Sequence, residues 1–183
     1  AVATGPTHTI RKTVPTFTKT AGNTTTLVPS STAKVLEFSI SADSAADVVF
    51  DKGAAVDFAA SDGRLRFTIS QNGGTTTART VTLKKSDGTT LDTFTYDLTT
   101  ASGVLDLNFS TNGLTVSAGG TQALYIEVDL TDYATQSEYF GITLADDASN
   151  TIAGTDNVRW SDDSSSTIDV NGFGLAKNGL SLT

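Results

Sequence analysis

Between Gln122 and Leu130, the aliphatics Leu124, Ile126, Val128 and Leu130 alternate with Tyr125, Glu127 and Asp129. A period of two puts all four aliphatics on one face of an extended chain, whereas a helix would scatter them around its circumference. The same pattern recurs along the chain. Leu36, Phe38 and Ile40 share a face in 33–41, and Leu65, Phe67 and Ile69 share one in 64–70, with Arg64, Arg66 and Thr68 expected outward. Val81 and Leu83 face inward in 79–85, Leu105, Leu107 and Phe109 in 104–109, and Phe140, Ile142 and Leu144 in 139–145. Further strands are expected over 47–50, 90–98, 114–117, 157–161, 167–175 and 178–183. No window of ten or more residues keeps helical spacing.

The breaks between these runs carry turn chemistry. Gln71-Asn72-Gly73-Gly74, Ser86-Asp87-Gly88-Thr89, Asn112-Gly113 and Ala118-Gly119-Gly120 supply residues that tolerate positive φ. Asp-Gly between two alternating runs predicts a hairpin. Short strands with polar outer faces predict two antiparallel sheets packed face to face. The expected fold is all-β, an antiparallel immunoglobulin-like or jelly-roll-like β-sandwich with an extended N-terminal arm. A chain of 183 residues is long enough to bury a core of its own.

Residues 1–29 form the arm and residues 30–183 the sandwich body. The arm holds ten threonines and three prolines, and its only charges are Arg11, Lys12 and Lys19. The first acid is Glu37. Three of the twelve basic residues and none of the twenty acids fall in the arm, so it carries +3 and the remainder −11 of the net −8. Pro6 and Pro15 lack a backbone donor, which suits an edge strand or an inserted one. Two arrangements follow. Either 7–17 is the first strand of its own sandwich, or the arm leaves its body and completes the sheet of the next subunit. In the second, Ile10, Val14 and Phe17 are the expected docking residues, with Val2 beside them. Strand addition of this kind gains affinity from main-chain hydrogen bonds, with alternate side chains filling pockets. A head-to-tail contact that does not close on itself builds a filament.

Composition narrows the remaining chemistry. An acidic body repels a phosphate backbone, which excludes a nucleic-acid partner. With no Cys there is neither a disulfide framework nor a thiolate metal site. No apolar run approaches the roughly 18 residues of a membrane span. The absence of Met, position 1 included, and the Thr-rich, Lys-poor composition fit a chain processed after secretion and exposed outside the cell or on its surface.

No constellation points to catalysis, and the expected protein is not an enzyme. His8 is the sole His and lies in the arm, where nothing orients an imidazole. Carboxylates cluster at Asp146, Asp147, Asp156, Asp162, Asp163 and Asp169. Loop carboxylates suit Ca²⁺, but the spacing fits no EF-hand, so a structural Ca²⁺ at Asp146, Asp147, Asp162 and Asp163 stands beside a plain solvated rim. No cofactor is otherwise expected. Trp160 and Tyr133, with Tyr125 and Tyr139, could line a platform for surface glycans; the competing role for Trp160 is a core plug. Asn23 and Asn108 satisfy the N-glycosylation pattern.

The stretch Phe38-Ser39-Ile40-Ser41-Ala42-Asp43, and Gly119-Gly120-Thr121-Gln122-Ala123-Leu124 running into Val128-Asp129-Leu130, resemble the immunoglobulin-like β-sandwich modules of prokaryotic surface proteins. Val158-Arg159-Trp160-Ser161-Asp162 and Asn171-Gly172 are similar to the end of such modules. The resemblance implies a structural or adhesive role in surface layers, stalks or pilus-like filaments, without catalytic residues. Filament subunits that use donor-strand complementation are similar in having an extended N-terminal segment before an all-β body. The expectation is a secreted homopolymer joined through its arm, with a monomeric carbohydrate-binding or adhesive module as the alternative.

Overall fold

A computed structural model describes residues 12–20, 29–52, 63–74, 78–97, 102–133, 135, 137–144 and 158–162. Among these lie eleven strands and no helix. In chain order they are β1 (Thr16–Lys19), β2 (Ala33–Ser41), β3 (Val48–Phe50), β4 (Arg64–Asn72), β5 (Ala78–Lys85), β6 (Thr90–Asp97), β7 (Ser102–Leu107), β8 (Leu114–Val116), β9 (Thr121–Val128), β10 (Tyr139–Leu144) and β11 (Val158–Arg159). The strands expected at 167–175 and 178–183 lie outside the described residues.

All strand pairs are antiparallel. One sheet runs β1-β2-β9-β5-β6. In the other, β4 is central: β7 lies along one side, while β10 and then β11 share the opposite side. A ribbon of β3 and β8 is tied to the chain after β11 by reciprocal backbone bonds between Val49 and Ser161, at 2.9 and 2.8 Å. The two main sheets form a sandwich, and Phe38 of β2 meets Phe67 of β4 edge-on between them, ring centroids 6.3 Å apart. Phe50 stacks on Phe109 at 4.9 Å where the ribbon closes the core.

The alternation dictates the packing. Leu36, Phe38, Ile40, Leu65, Phe67, Ile69, Val81, Leu83, Leu105, Leu107, Leu124, Ile126, Val128, Phe140, Ile142 and Leu144 are all buried in one core. The Asp-Gly hairpin forms between β5 and β6. Gly88 takes φ 91°, where a side chain would be strained, and Lys85 and Thr89 close the turn by a 2.9 Å backbone bond.

Three charged side chains on β4, β5 and β6 are buried. Arg64, expected to point outward, is instead 2% exposed at the start of β4, where Arg159 of β11 lies opposite it. Arg79, at the start of β5, is also buried. Its Nη1 donates to the Asp129 carbonyl, its Nη2 pairs with Asp132, and its guanidinium lies 4.7 Å from the centre of the Tyr133 ring. Tyr133 in turn donates to Gln71 Oε1 of β4 at 2.8 Å, so this chain of contacts links the two sheets.

Asp92 is the third. A bulge shifts the β5–β6 register so that Leu83 faces Asp92 and Lys84 faces Thr90, with Leu91 as the extra residue. The bulge buries both Leu91 and Asp92. Asp92 Oδ2 accepts from Asn108 N at 2.7 Å; Oδ1 accepts from Thr93 N at 2.9 Å and from the Ser110 hydroxyl. This knot fixes the turn after β7, in which Phe109 adopts φ 57°.

Candidate functional site

The arm strand and the edge it covers form the site of interest. β9 occupies one side of β2, which leaves the opposite side of β2 as a row of unpaired backbone groups. β1 fills that row, with Thr16 opposite Ser41, Phe17 opposite Ile40, Thr18 opposite Ser39 and Lys19 opposite Phe38. Thr20 N continues the ladder by donating to Glu37 O at 3.0 Å. Pro15 precedes the first paired residue, so its missing N–H costs the ladder nothing.

Two further contacts hold the start of this segment. Lys12 N donates to Asp162 Oδ2 at 3.0 Å, joining residues 150 apart in sequence. Asp43 N donates to Thr13 Oγ1 at 3.0 Å. Thr13 and Asp162 are both 2% exposed, so the acceptor of each bond is shielded from bulk water. The Trp160–Asp162 stretch is itself positioned by the Val49–Ser161 bridge.

Of the expected docking residues, Phe17 is half-buried and packs against the core, whereas Val14 is exposed. Ile10 and Val2 lie outside the described residues, as does His8. Side chains of Lys12 and Lys19 are exposed, which leaves the positive charge of this segment at the surface. Sequence reasoning picked out Phe17 but missed Thr13 and Asp43. A buried threonine in a threonine-rich arm carries no local signal, and Asp43 acts through its backbone N–H.

The aromatic residues are arranged otherwise than a sugar platform requires. Trp160 is 3% exposed and belongs to the core, and Tyr133 is 2% exposed beneath Arg79. Tyr125 is buried with the Lys34 ammonium 4.3 Å from its ring centre. Tyr139 alone among the four opens a face to solvent.

For calcium, Asp146, Asp147 and Asp163 lie outside the described residues, and Asp162 is occupied by Lys12 N. Among the described residues no three His, Cys, Asp or Glu side chains converge as a metal site. Asn108, one of the two glycosylation candidates, is buried, and Ser110 of its motif donates to Asp92.

A cavity of about 350 Å³ lies at the end of the β5–β9 pairing, and Thr80, Thr82, Thr131, Arg79, Glu127 and Asp129 are among the residues that line it. Its carboxylates are engaged within the fold. Glu127 pairs with Lys84, whose ammonium is held above its ordinary range chiefly by that hydrogen bond. Asp129 is held below the ordinary carboxylate range by the backbone N–H and then the hydroxyl of Thr131.

No family model matches the chain, and no curated protein or solved structure matches it. Among the described residues no helix is long and apolar enough to cross a membrane.

Proposed function

We propose that this protein is a structural subunit of an extracellular filament or cell-surface assembly, polymerising by docking its N-terminal strand on a neighbouring copy. One observation carries the reading. Among the described residues the hydrophobic core cluster is drawn from Val35 onward, and the arm adds half-buried Phe17 at its margin, with Thr13 and Pro15 buried beside it. The described part of the arm thus contributes little to that cluster, yet β2 needs a partner along its edge. A segment that contributes little to its own core, but that an edge needs, is suited to exchange between copies.

Charge supports the same reading. A +3 arm is attracted to a −11 body, and the attraction acts on a neighbouring body as well as on its own, weakening with salt. The exposed threonines of β1 keep the strand soluble before it docks. Electron microscopy of the full chain beside a version lacking residues 1–20 tests the proposal. Filaments are expected from the first and none from the second. Filaments from the truncated chain, or monomers from both, would overturn it, and the latter result would favour a monomeric binding module.

A further inference from the structure

We infer that the acceptor in such an assembly is the outer edge of β2 in a second copy of this chain, entered in the register that β1 occupies: Thr16 against Ser41 through Lys19 against Phe38. The inference rests on the strand-exchange reading and goes further, since it selects one edge among several. β6, β7 and β10 are also sheet edges, but two observations single out β2 and a third permits the exchange.

First, the β2 edge is shaped for this segment. Phe17 lies opposite Ile40 and packs on the core, and the threonines on either side of it face outward. Second, the edge continues into two polar anchor points that read the backbone and one hydroxyl of the arm: Asp162 Oδ2 takes Lys12 N and Asp43 N reaches Thr13 Oγ1. Both anchors belong to the body, so in an exchanged arrangement they travel with the acceptor. A slip of one residue would place Lys12 where Thr13 is buried and turn Phe17 away from Ile40, so the anchors fix register as well as affinity. Third, reach is adequate. Nine chain steps separate Thr20 from Pro29, which is about 30 Å when extended, roughly the diameter of a small domain.

Docking in cis and in trans uses the same contacts, so the balance between them is set by concentration. A tethered arm competes at an effective concentration on the order of millimolar. Exchange therefore dominates where copies are crowded or already held side by side, and dilute chains keep their own strand.

The chain has no cysteine, so a disulfide across the interface reports its geometry without background. Thr18 and Ser39 suit this purpose. The Thr20–Glu37 bond makes them a hydrogen-bonded pair, with Cα atoms about 5.5 Å apart, within disulfide range. Thr18 is exposed and Ser39 half-buried, so neither substitution opens the core. The double variant Thr18→Cys/Ser39→Cys is assembled, pelleted and oxidised, then run without reductant. Trans docking on β2 gives a covalent ladder in steps of 18.9 kDa. An equimolar mixture of the two single variants, one carrying a mass tag, gives a mixed disulfide dimer under the same conditions. A pelleted polymer whose double-variant chains run as monomers with an internal disulfide would overturn the β2 acceptor while leaving strand exchange at another edge intact. Failure to pellet at any concentration overturns both readings together.

Discussion

Replacing Asp92 by alanine is the sharpest available test of how this sandwich is held together. The carboxylate is 2% exposed and accepts from Asn108 N, Thr93 N and the Ser110 hydroxyl. Asn108 is itself buried, so removing its acceptor leaves an unsatisfied N–H at a cost of about 1–3 kcal/mol. Thr93 is exposed and Ser110 half-buried; water replaces the acceptor there, and each loses only about 0.5–1 kcal/mol. Release of a buried charge offsets part of the total, which leaves a net loss of about 3 kcal/mol. For a chain of this size that corresponds to a fall in Tm of about 6–12 °C. Asp92→Asn should fall between wild type and Asp92→Ala, because Oδ1 keeps its two donors while the new amide confronts Asn108 N. Urea unfolding followed by fluorescence is a direct assay, since Trp160 is the single tryptophan and is buried in the core. Ser110→Ala should cost about 1 kcal/mol alone and less in the Asp92→Ala background. A loss below about 1 kcal/mol for Asp92→Ala, or full additivity with Ser110→Ala, would refute the knot as a cooperative unit.

Other positions give independent tests. A Cβ on Gly63 would lie 2.7 Å from the Phe50 Cα, and backbone cannot swing aside; Gly63→Ala should cost about 1–3 kcal/mol of overpacking in the same urea assay. Gly88→Ala meets nothing within 4 Å and should lose only the left-handed backbone penalty of about 1 kcal/mol. Asp129 has a folded pKa below the ordinary range, so its contribution is present above that range and is lost as the pH falls through the depressed value. Thr131→Val should raise that pKa only part of the way, because the backbone N–H is the larger influence; carboxyl NMR titration reads this directly. Burial pushes the Tyr133 hydroxyl above its usual range, so of the four tyrosines the one removed by Tyr133→Phe should be late to ionise in an ultraviolet absorbance titration. The associated stability is present below the ordinary tyrosine range and fades as the pH rises through the elevated value.

How much of this was legible depended on distance along the chain. β2 follows from its own residues, because Leu36, Phe38 and Ile40 alternate and Ala33 to Ser41 is the strand that forms. The Asp87-Gly88 hairpin is equally local. The pairing of β2 with β9 and of β9 with β5 is not, since every aliphatic strand offers the same apolar face and the order is settled by packing of the whole. Arg64, Arg79 and Asp92 escaped the reading for a related reason. Alternation alone does not say what a buried charge would pair with: Arg79 shares the face of Val81 and Leu83, and only the tertiary structure supplies Asp132 and Tyr133 as its partners and Asn108 as that of Asp92. Asn112-Gly113 shows the converse. Neither residue takes the left-handed conformation that the pair allows; Phe109, three residues before Asn112 and stacked on Phe50, does. The arm was legible as a chemical oddity, and Phe17 as an inward residue, while the anchors at Asp43 and Asp162 depend on chain folded 30 and 150 residues away.

The Lys12–Asp162 bond also governs how tension would travel. Residues 12 and 162 are far apart in sequence but adjacent in space, so a pull applied between them is met first at that junction and not across the sandwich. Once it yields, the load passes to the β1–β2 ladder, whose hydrogen bonds run across the strands and resist sliding together when sheared lengthwise but open singly when peeled. The direction of pull thus decides whether this end of the molecule behaves as a latch or as a zipper.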